Sequence, residues 1–215
     1  MPISFEGVIF DMDGLMLDTE PIYRSTLEQA SAELGYSLHD DLHNSFIGRS
    51  IREWQATLMQ TFGDDYPRFR KRRRQLWEQH VQELGVAEKA GLRELLDQLD
   101  EDGLRKGVAT SSSRREALLC LGQLANPFDA IVTGDEVEQG KPAPDIFLLA
   151  AQRLGLSPEQ CLVLEDSQSG AQAALAAGMS VVIVSDLQQP SRELAAQVHC
   201  VCSSLHEVRQ LFRVQ

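Results

Sequence analysis

Two aspartates separated by one residue, Asp11 and Asp13, stand directly behind the short apolar run Val8-Ile9-Phe10 and ahead of Gly14. An apolar run bounded by a turn glycine reads as a buried strand. Both carboxylates therefore sit at a strand's carboxyl end, where they repel one another and resist desolvation. Such a pair needs a cation or a proton. Three further apolar runs are each followed by polar groups that complete a chemistry. Run 107–109 leads into Thr110-Ser111-Ser112-Ser113, run 130–132 leads by a short loop into Gly140-Lys141-Pro142, and run 161–164 leads into Glu165-Asp166-Ser167. Ligands of open parallel sheets bind beyond the carboxyl ends of the strands, so these groups are expected on one rim. The set suits phosphoryl transfer. Four carboxyl groups bind a hard divalent cation, and Mg²⁺ prefers oxygen ligands with several retained waters. The metal and Lys141 neutralise a phosphate, and the Thr110 hydroxyl holds another phosphate oxygen. One aspartate attacks phosphorus to give an aspartyl-phosphate. The other, kept protonated by its acidic neighbours, donates to the leaving oxygen and then activates water.

Taken singly, each piece has a blander reading. D-x-D is common in turns, serines cap helices and Gly-Lys-Pro makes a turn. The order, each motif directly after its own strand, carries the argument. Gly134 to Lys141 imitates a phosphate-binding Gly-x-x-x-x-Gly-Lys loop, but its glycines are one residue too far apart and Pro142 stands where Ser or Thr should bind Mg²⁺. No G-x-G-x-x-G turn supports a dinucleotide.

The elements that must position these groups follow from periodicity. Five apolar runs, 8–10, 107–109, 130–132, 161–164 and 181–184, alternate with helical patterns. Leu92, Leu95, Leu96 and Leu99 lie on one helix face that Gly103 ends, and Ile146, Phe147, Ala150 and Leu154 repeat the pattern before Gly155. Ser157 with Gln160 reads as a capping box for the next helix start, and Gly178 closes an alanine-rich helix over 171–177. Alternating β and α units imply an α/β fold, a mainly parallel sheet with helices on both faces. From about Thr19 to Leu84 the rhythm breaks. That stretch is rich in helix formers, with Pro21 at a first helical position and Gly35 at a stop. A helical insertion between the first and second strands is expected.

The chain's 215 residues suffice for one α/β core with a small insert. Twenty Lys and Arg against 32 Asp and Glu give a formal charge of −12, which disfavours nucleic acid as a partner. Cys120, Cys161, Cys200 and Cys202 show no C-x-x-C or zinc spacing and read as reduced cytosolic thiols. Cys200 and Cys202, one residue apart, are expected to point to opposite faces of a strand. No apolar run nears the roughly 20 residues that span a membrane, and no signal peptide is visible. A soluble, cytoplasmic protein without membrane or nucleic-acid partners is expected.

These residues resemble the haloacid dehalogenase superfamily, whose four motifs match in order as Asp11-Met12-Asp13-Gly14, Thr110 with Ser111, Lys141, and Glu165-Asp166. Gly14-Leu15-Met16-Leu17-Asp18-Thr19-Glu20, Gly140-Lys141-Pro142-Ala143-Pro144-Asp145 and Leu164-Glu165-Asp166-Ser167 are most similar to its β-phosphoglucomutase-like branch. The resemblance implies a Rossmann-like core over 1–17 and 86–215 and an inserted four-helix cap over 18–85. It implies Asp11 as nucleophile, Asp13 as acid and base, and Mg²⁺ held by Asp11, the Asp13 backbone carbonyl and Asp166, with Glu165 nearby or ligating. Thr110, Ser111, Ser112 and Lys141 are the expected phosphate and substrate contacts from the core, and Glu20 and Arg52 those from the cap. Dehalogenating members lack the second aspartate, because a halide leaves without a proton, so Asp13 argues for phosphate.

A Mg²⁺-dependent phosphatase of a small phosphorylated metabolite (a sugar, polyol or nucleoside monophosphate) is the expectation, acting as a monomer. The alternative is a sugar phosphomutase. The mutases carry a cap histidine and a cap lysine, and Tyr23 and Ile47 stand in those places, although Gly48 and Arg52 are kept. A lost lysine removes a charge-assisted contact worth about 1.5–3 kcal/mol. A second rival is a phospho-aspartate switch that signals to a partner. Arg68, Arg70, Lys71, Arg72, Arg73 and Arg74 form either a solvated helix face or an attraction for anions, and Trp54 and Trp77 are expected in the cap's core.

Overall fold

A computed structural model of the chain describes residues 5–36, 51–185 and 189–212, with the side chains of 51–55 left out. The chain divides into two compact units, residues 1–18 with 87–215, and residues 19–86.

The first unit is built on six parallel strands: β1 (Gly7–Phe10), β2 (Arg105–Thr110), β3 (Ala130–Thr133), β4 (Cys161–Glu165), β5 (Ser180–Val184) and β6 (Cys200–Cys202). Their order in the sheet is β3-β2-β1-β4-β5-β6. The chain first builds outward from β1 to β3, then returns to the other side of β1 with β4. The crevice between β1 and β4 is therefore the topological switch point, where open parallel sheets bind ligands. Phe10 pairs with Leu164 and with Val108, so β1, β2 and β4 end nearly level. Among the described residues six helices connect or flank the strands. They are α4 (Leu92–Glu101), α5 (Arg114–Leu121), α6 (Asp145–Leu154), α7 (Gln168–Ala176), α8 (Arg192–Ala195) and α9 (Leu205–Phe212). The predicted heptad-like faces of α4 and α6 are the buried ones. Each fully buried Leu there contributes about 1.5–3 kcal/mol. Ile9, Val132, Phe147, Val163, Ala174 and Val181 belong to one continuous core on the sheet.

The second unit is helical among its described residues, with α1 (Glu20–Glu33), α2 (Ile51–Phe62) and α3 (Tyr66–Leu84). Pro21 occupies the first turn of α1, as expected. Three of the four anticipated helices fall within the described residues, and positions 37–50 lie outside them. Its core is aromatic. Phe62 stacks on Phe69 with centroids 3.9 Å apart, and Leu27, Ala30, Leu58 and Leu76 surround them. Such a pair adds about 0.5–1.5 kcal/mol beyond its buried area.

Three local expectations need correction. The sheet has six strands where five apolar runs were counted, because β6 is an edge strand of three residues, too short to register as a run. The Ser157–Gln160 box does form, with the Gln160 side chain accepting from the Ser157 amide at 2.8 Å, but it closes one 3₁₀ turn and feeds β4 directly. Cys200 and Cys202 share a face, their sulfurs 3.8 Å apart. Strand side chains alternate with period two, so residues i and i+2 lie on one side. All four cysteines are free thiols. Among the described residues no helix is long and apolar enough to cross a membrane.

Candidate active site

Asp11 follows β1 directly, and its amide donates to the Leu164 carbonyl of β4 at 3.0 Å. This bond carries the sheet ladder one step past the strand. The carboxylate is thus held at the mouth of the β1–β4 crevice, where it is almost wholly buried. Lys141 arrives from the loop after β3. Its ammonium donates to Asp11 Oδ1, to Glu165 Oε1 at 2.6 Å and to the Ala109 carbonyl at 3.1 Å. The Phe147 ring lies 5.0 Å from the same nitrogen. One ammonium therefore ties together the ends of β1, β2 and β4.

Glu165, the last residue of β4, is fully buried and both its oxygens are engaged. Oε2 accepts from the Ser167 amide at 2.9 Å and from the Ser167 hydroxyl at 2.8 Å. The same hydroxyl caps α7 by accepting from the Gly170 amide at 3.0 Å. Gly170 has to be glycine, because a Cβ there would overlap the Glu165 carboxylate. Asp166 turns the other way. Its carboxylate lies against Gly14, whose φ of +86° and lack of a Cβ let the loop after β1 approach it closely.

On the opposite side of the crevice, Asp13 Oδ2 accepts from Ser112 Oγ at 2.9 Å and from Thr110 Oγ1 at 3.2 Å. Thr110 Oγ1 in turn accepts from the Ser112 amide at 3.1 Å. The two hydroxyls expected on phosphate are thus seen on Asp13. Ser111 is exposed beside them, and Ser113 belongs to the cap of α5 with Glu116. Glu20 opens α1 and Arg52 lies in α2, so neither belongs to the unit that holds Asp11. The Arg52 side chain and Ile47 lie outside the described residues. Tyr23 stacks on the buried Trp77 at 6.4 Å, with the Arg73 guanidinium 5.6 Å from its ring. Of the basic run on α3, Arg72 pairs with Glu33 and Arg74 with Glu78. Sequence reasoning placed Ser167 behind the fourth strand and Phe147 on a helix face without giving either a partner in the site, and it did not single out Gly170. Only the Ser-x-x-Gly spacing of a helix start could have signalled Ser167 and Gly170.

Burial pushes the Asp11 carboxyl up to about 8, with Glu165 and Asp13 adding to the rise and Lys141 opposing it. Burial likewise raises Asp166 well above the usual range, reinforced by Glu165 and Asp11. Burial also works against the charge on Lys141, yet Asp11 and Glu165 outweigh it and hold the ammonium above the ordinary lysine value. Asp11 and Glu165 share one ammonium while Asp13 and Asp166 crowd Asp11, and the imbalance calls for a proton or a cation. Among the described residues no three acidic, imidazole or thiol side chains form a ready metal cluster. Lys141 and Ser167 occupy Glu165, and two hydroxyls hold Asp13. Both Glu165 oxygens are thus taken, whereas Lys141 meets Asp11 at Oδ1 and leaves Oδ2, so Asp11 Oδ2 and Asp166 remain as carboxylate donors. Two carboxylates with water fit Mg²⁺, which keeps several waters, better than a cage of four would.

Residues 8–184 match the family model described as haloacid dehalogenase-like hydrolase. A phosphorylated carbohydrates phosphatase of Thermotoga maritima is 39% identical over 178 residues, covering 81% of this chain and 82% of that protein. A fructose-1-phosphate phosphatase of Escherichia coli, YqaB, is 36% identical over 187 residues, covering 84% and 96%. The crystal structure of a provisionally assigned β-phosphoglucomutase from Thermotoga maritima superposes with a TM-score of 0.82 at 34% identity, over 97% of this chain and 98% of that one. The match spans every strand that lines the crevice, and by it the chain belongs to the haloacid dehalogenase-like hydrolase family.

Proposed function

We propose that this chain is a Mg²⁺-dependent phosphoric monoester hydrolase of small phosphorylated metabolites. The observation that carries the reading is Lys141 bridging Asp11 and Glu165 across the switch-point crevice, with Asp166 closing it against Gly14. Phosphatases of this family generally use a divalent metal. Asp11 and Asp166, with the Asp13 carbonyl, would hold the ion, which screens phosphate charge. Asp11 attacks phosphorus as the bond to the leaving oxygen breaks, and Asp13 gives that oxygen its proton. Asp13, now a carboxylate, takes a proton from water as the water attacks the aspartyl-phosphate and releases inorganic phosphate. Lys141 neutralises the transferring group and keeps Asp11 oriented.

Sugar phosphates are the first substrates to test, since the relatives above are named for phosphorylated carbohydrates and fructose 1-phosphate. Polyol and nucleoside monophosphates follow. Residues 19–86 take the role of the cap that selects among them. Hydrolysis is preferred over mutase chemistry because Tyr23 packs on Trp77 where the mutases carry a histidine. Incubation with a hexose 1-phosphate and its bisphosphate separates the two, free phosphate marking hydrolysis and hexose 6-phosphate marking a mutase. The enzyme is read as a cytoplasmic monomer whose cysteines stay thiols.

A metal-supplemented screen over these esters is expected to release phosphate. Asp11→Asn should lower turnover by about 10⁴-fold or more, the scale on which lost nucleophiles act, with an unchanged circular-dichroism spectrum. Full activity in that variant overturns the assignment.

A further inference from the structure

We infer that Phe147 is a positioning residue for Lys141, its ring holding the ammonium in place beside Asp11 through a cation–π contact. The inference rests on the hydrolytic reading above, in which Lys141 neutralises the transferring group, and adds a part to it. A lysine ammonium has three hydrogens to donate. Lys141 commits them to Asp11 Oδ1, to Glu165 Oε1 and to the Ala109 carbonyl. The Phe147 ring lies under the same nitrogen, its centroid 5.0 Å away. A cation within about 6 Å of a ring centroid is attracted by the negative face of the ring. With the hydrogens committed, the ring meets the ammonium through charge alone.

The two partners are placed by different means. Phe147 lies in the first turn of α6, where its amide donates to the Pro144 carbonyl at 3.0 Å. It is fully buried in the core with Ile9, Val132 and Val163, so packing fixes the ring. Lys141 comes from the loop ahead of α6, where the Ala143 amide closes a turn onto the Gly140 carbonyl at 3.1 Å. Its charge sits at the end of a flexible four-carbon stem. A long stem leaving a loop is poorly oriented by its own backbone and needs a fixed surface to rest on. Cation–π attraction strengthens where water is excluded, and the Lys141 side chain is as deeply buried as the ring.

The ring is also a partner that the chemistry leaves unchanged. When Asp11 takes the phosphoryl group, one carboxylate oxygen becomes the bridging oxygen of the aspartyl-phosphate, and the negative charge passes to the phosphoryl oxygens. The bond that Lys141 gives Asp11 weakens at that moment. Glu165, the Ala109 carbonyl and the Phe147 ring are left to hold the ammonium. The ring attracts the same charge before and after the transfer. A charge held ready in this way stabilises the developing negative charge without having to reorganise, and a ring fixed by core packing supplies that readiness at Lys141.

The experiment replaces Phe147 with phenylalanines bearing one, two and three ring fluorines, in the full chain and again in Lys141→Met. Fluorine draws charge out of the ring face and enlarges the ring only slightly. With Lys141 present, the urea-unfolding midpoint should fall stepwise along the series. In Lys141→Met it should stay level or rise, since fluorine adds apolar surface. The same trend in both backgrounds would show a ring that only fills space, and would overturn the contact. On a sugar monophosphate and on p-nitrophenyl phosphate, kcat and kcat/KM should fall together along the series and reach a loss of about tenfold or more at the trifluoro ring. KM should hold, as expected for a group that acts on the transfer and not on substrate binding. An unchanged kcat along the series, or a rise in KM alone, would overturn the positioning role. Phe147→Leu keeps an apolar side chain without the ring and should lose at least as much; full turnover in it would also overturn the role. If the wild-type enzyme cleaves neither ester, the hydrolytic reading fails, and the unfolding midpoints still decide the contact.

Discussion

Two clusters in the α/β unit use the same ion-pair chemistry and are shifted in opposite directions. In the crevice, Asp11 and Glu165 share the buried Lys141, and burial drives Asp11 up to about 8. On the rim of β3, Glu136 accepts from Arg153 Nη2 at 2.6 Å and from Thr133 at 2.8 Å, and its carboxyl drops to about 2. The Arg153 side chain is 38% exposed and that of Lys141 only 5%. Where water still reaches the partners, a cation and a hydroxyl stabilise the carboxylate cheaply. Where water is excluded and acids outnumber cations, the same contacts fail to offset desolvation. The rim cluster is built to hold structure, and the crevice is built to accept another cation or lose a proton.

The contrast can be broken most directly at the lysine. Lys141→Met leaves Asp11 and Glu165 buried without their cation. The expected cost is about 3–5 kcal/mol of stability, the scale for removing one partner of a buried pair, together with loss of turnover. Arg153→Met at the rim should cost about 1 kcal/mol or less. Urea unfolding of both variants measures the gap, and equal costs would show that the crevice pair is not desolvated.

Asp166 sharpens the comparison from the other side. Asp166→Asn removes one negative charge from the crowd without touching the Lys141 bonds. Because burial already raises Asp166, the relief appears in chelator-treated protein only at alkaline pH, where that acid ionises, and there the midpoint of thermal unfolding should rise by about 2–4 °C for each kcal/mol of repulsion relieved. Metal activation of turnover should be lost. Added Mg²⁺ should raise the wild-type midpoint by mass action and leave the variant's midpoint unmoved. A variant that Mg²⁺ still stabilises would remove Asp166 from the ion's ligands.

The smallest effect is the pH dependence of the rim. The folded Glu136 carboxyl lies at about 2, below its ordinary 4.5, so its contribution to stability is present above pH 4.5 and lost as pH falls toward 2. Screening limits it to about 1 kcal/mol or less. Glu136→Gln should flatten that part of a melting-temperature profile. Asp11 has the opposite sign. Its folded pKa lies above its ordinary 3.8, so its contribution is present below that value and lost as pH rises through about 8 in metal-free protein. Asp11→Asn should flatten the neutral side of the same profile.

The four motifs were legible because each follows its own strand, and a parallel sheet sends every such segment to one edge. The α4 and α6 faces were legible because 3.6-residue periodicity survives in the leucines. β6 was not, since three edge residues carry too little pattern. The partners of Glu165 were not legible either, because adjacent acids after a strand look equivalent in a string of letters. In the fold Glu165 turns back toward Lys141 and the start of α7, while Asp166 turns toward Gly14.

The sequence by itself determined the α/β alternation, the helical insertion and the set of groups at the sheet's edge, because strand and helix periods and turn residues are local properties. Which carboxylate meets which cation, which hydroxyls meet Asp13 and how far each charge is removed from water were decided only by the tertiary structure. Those are distances between segments about a hundred residues apart, and they emerge only when β1, β2 and β4 close side by side.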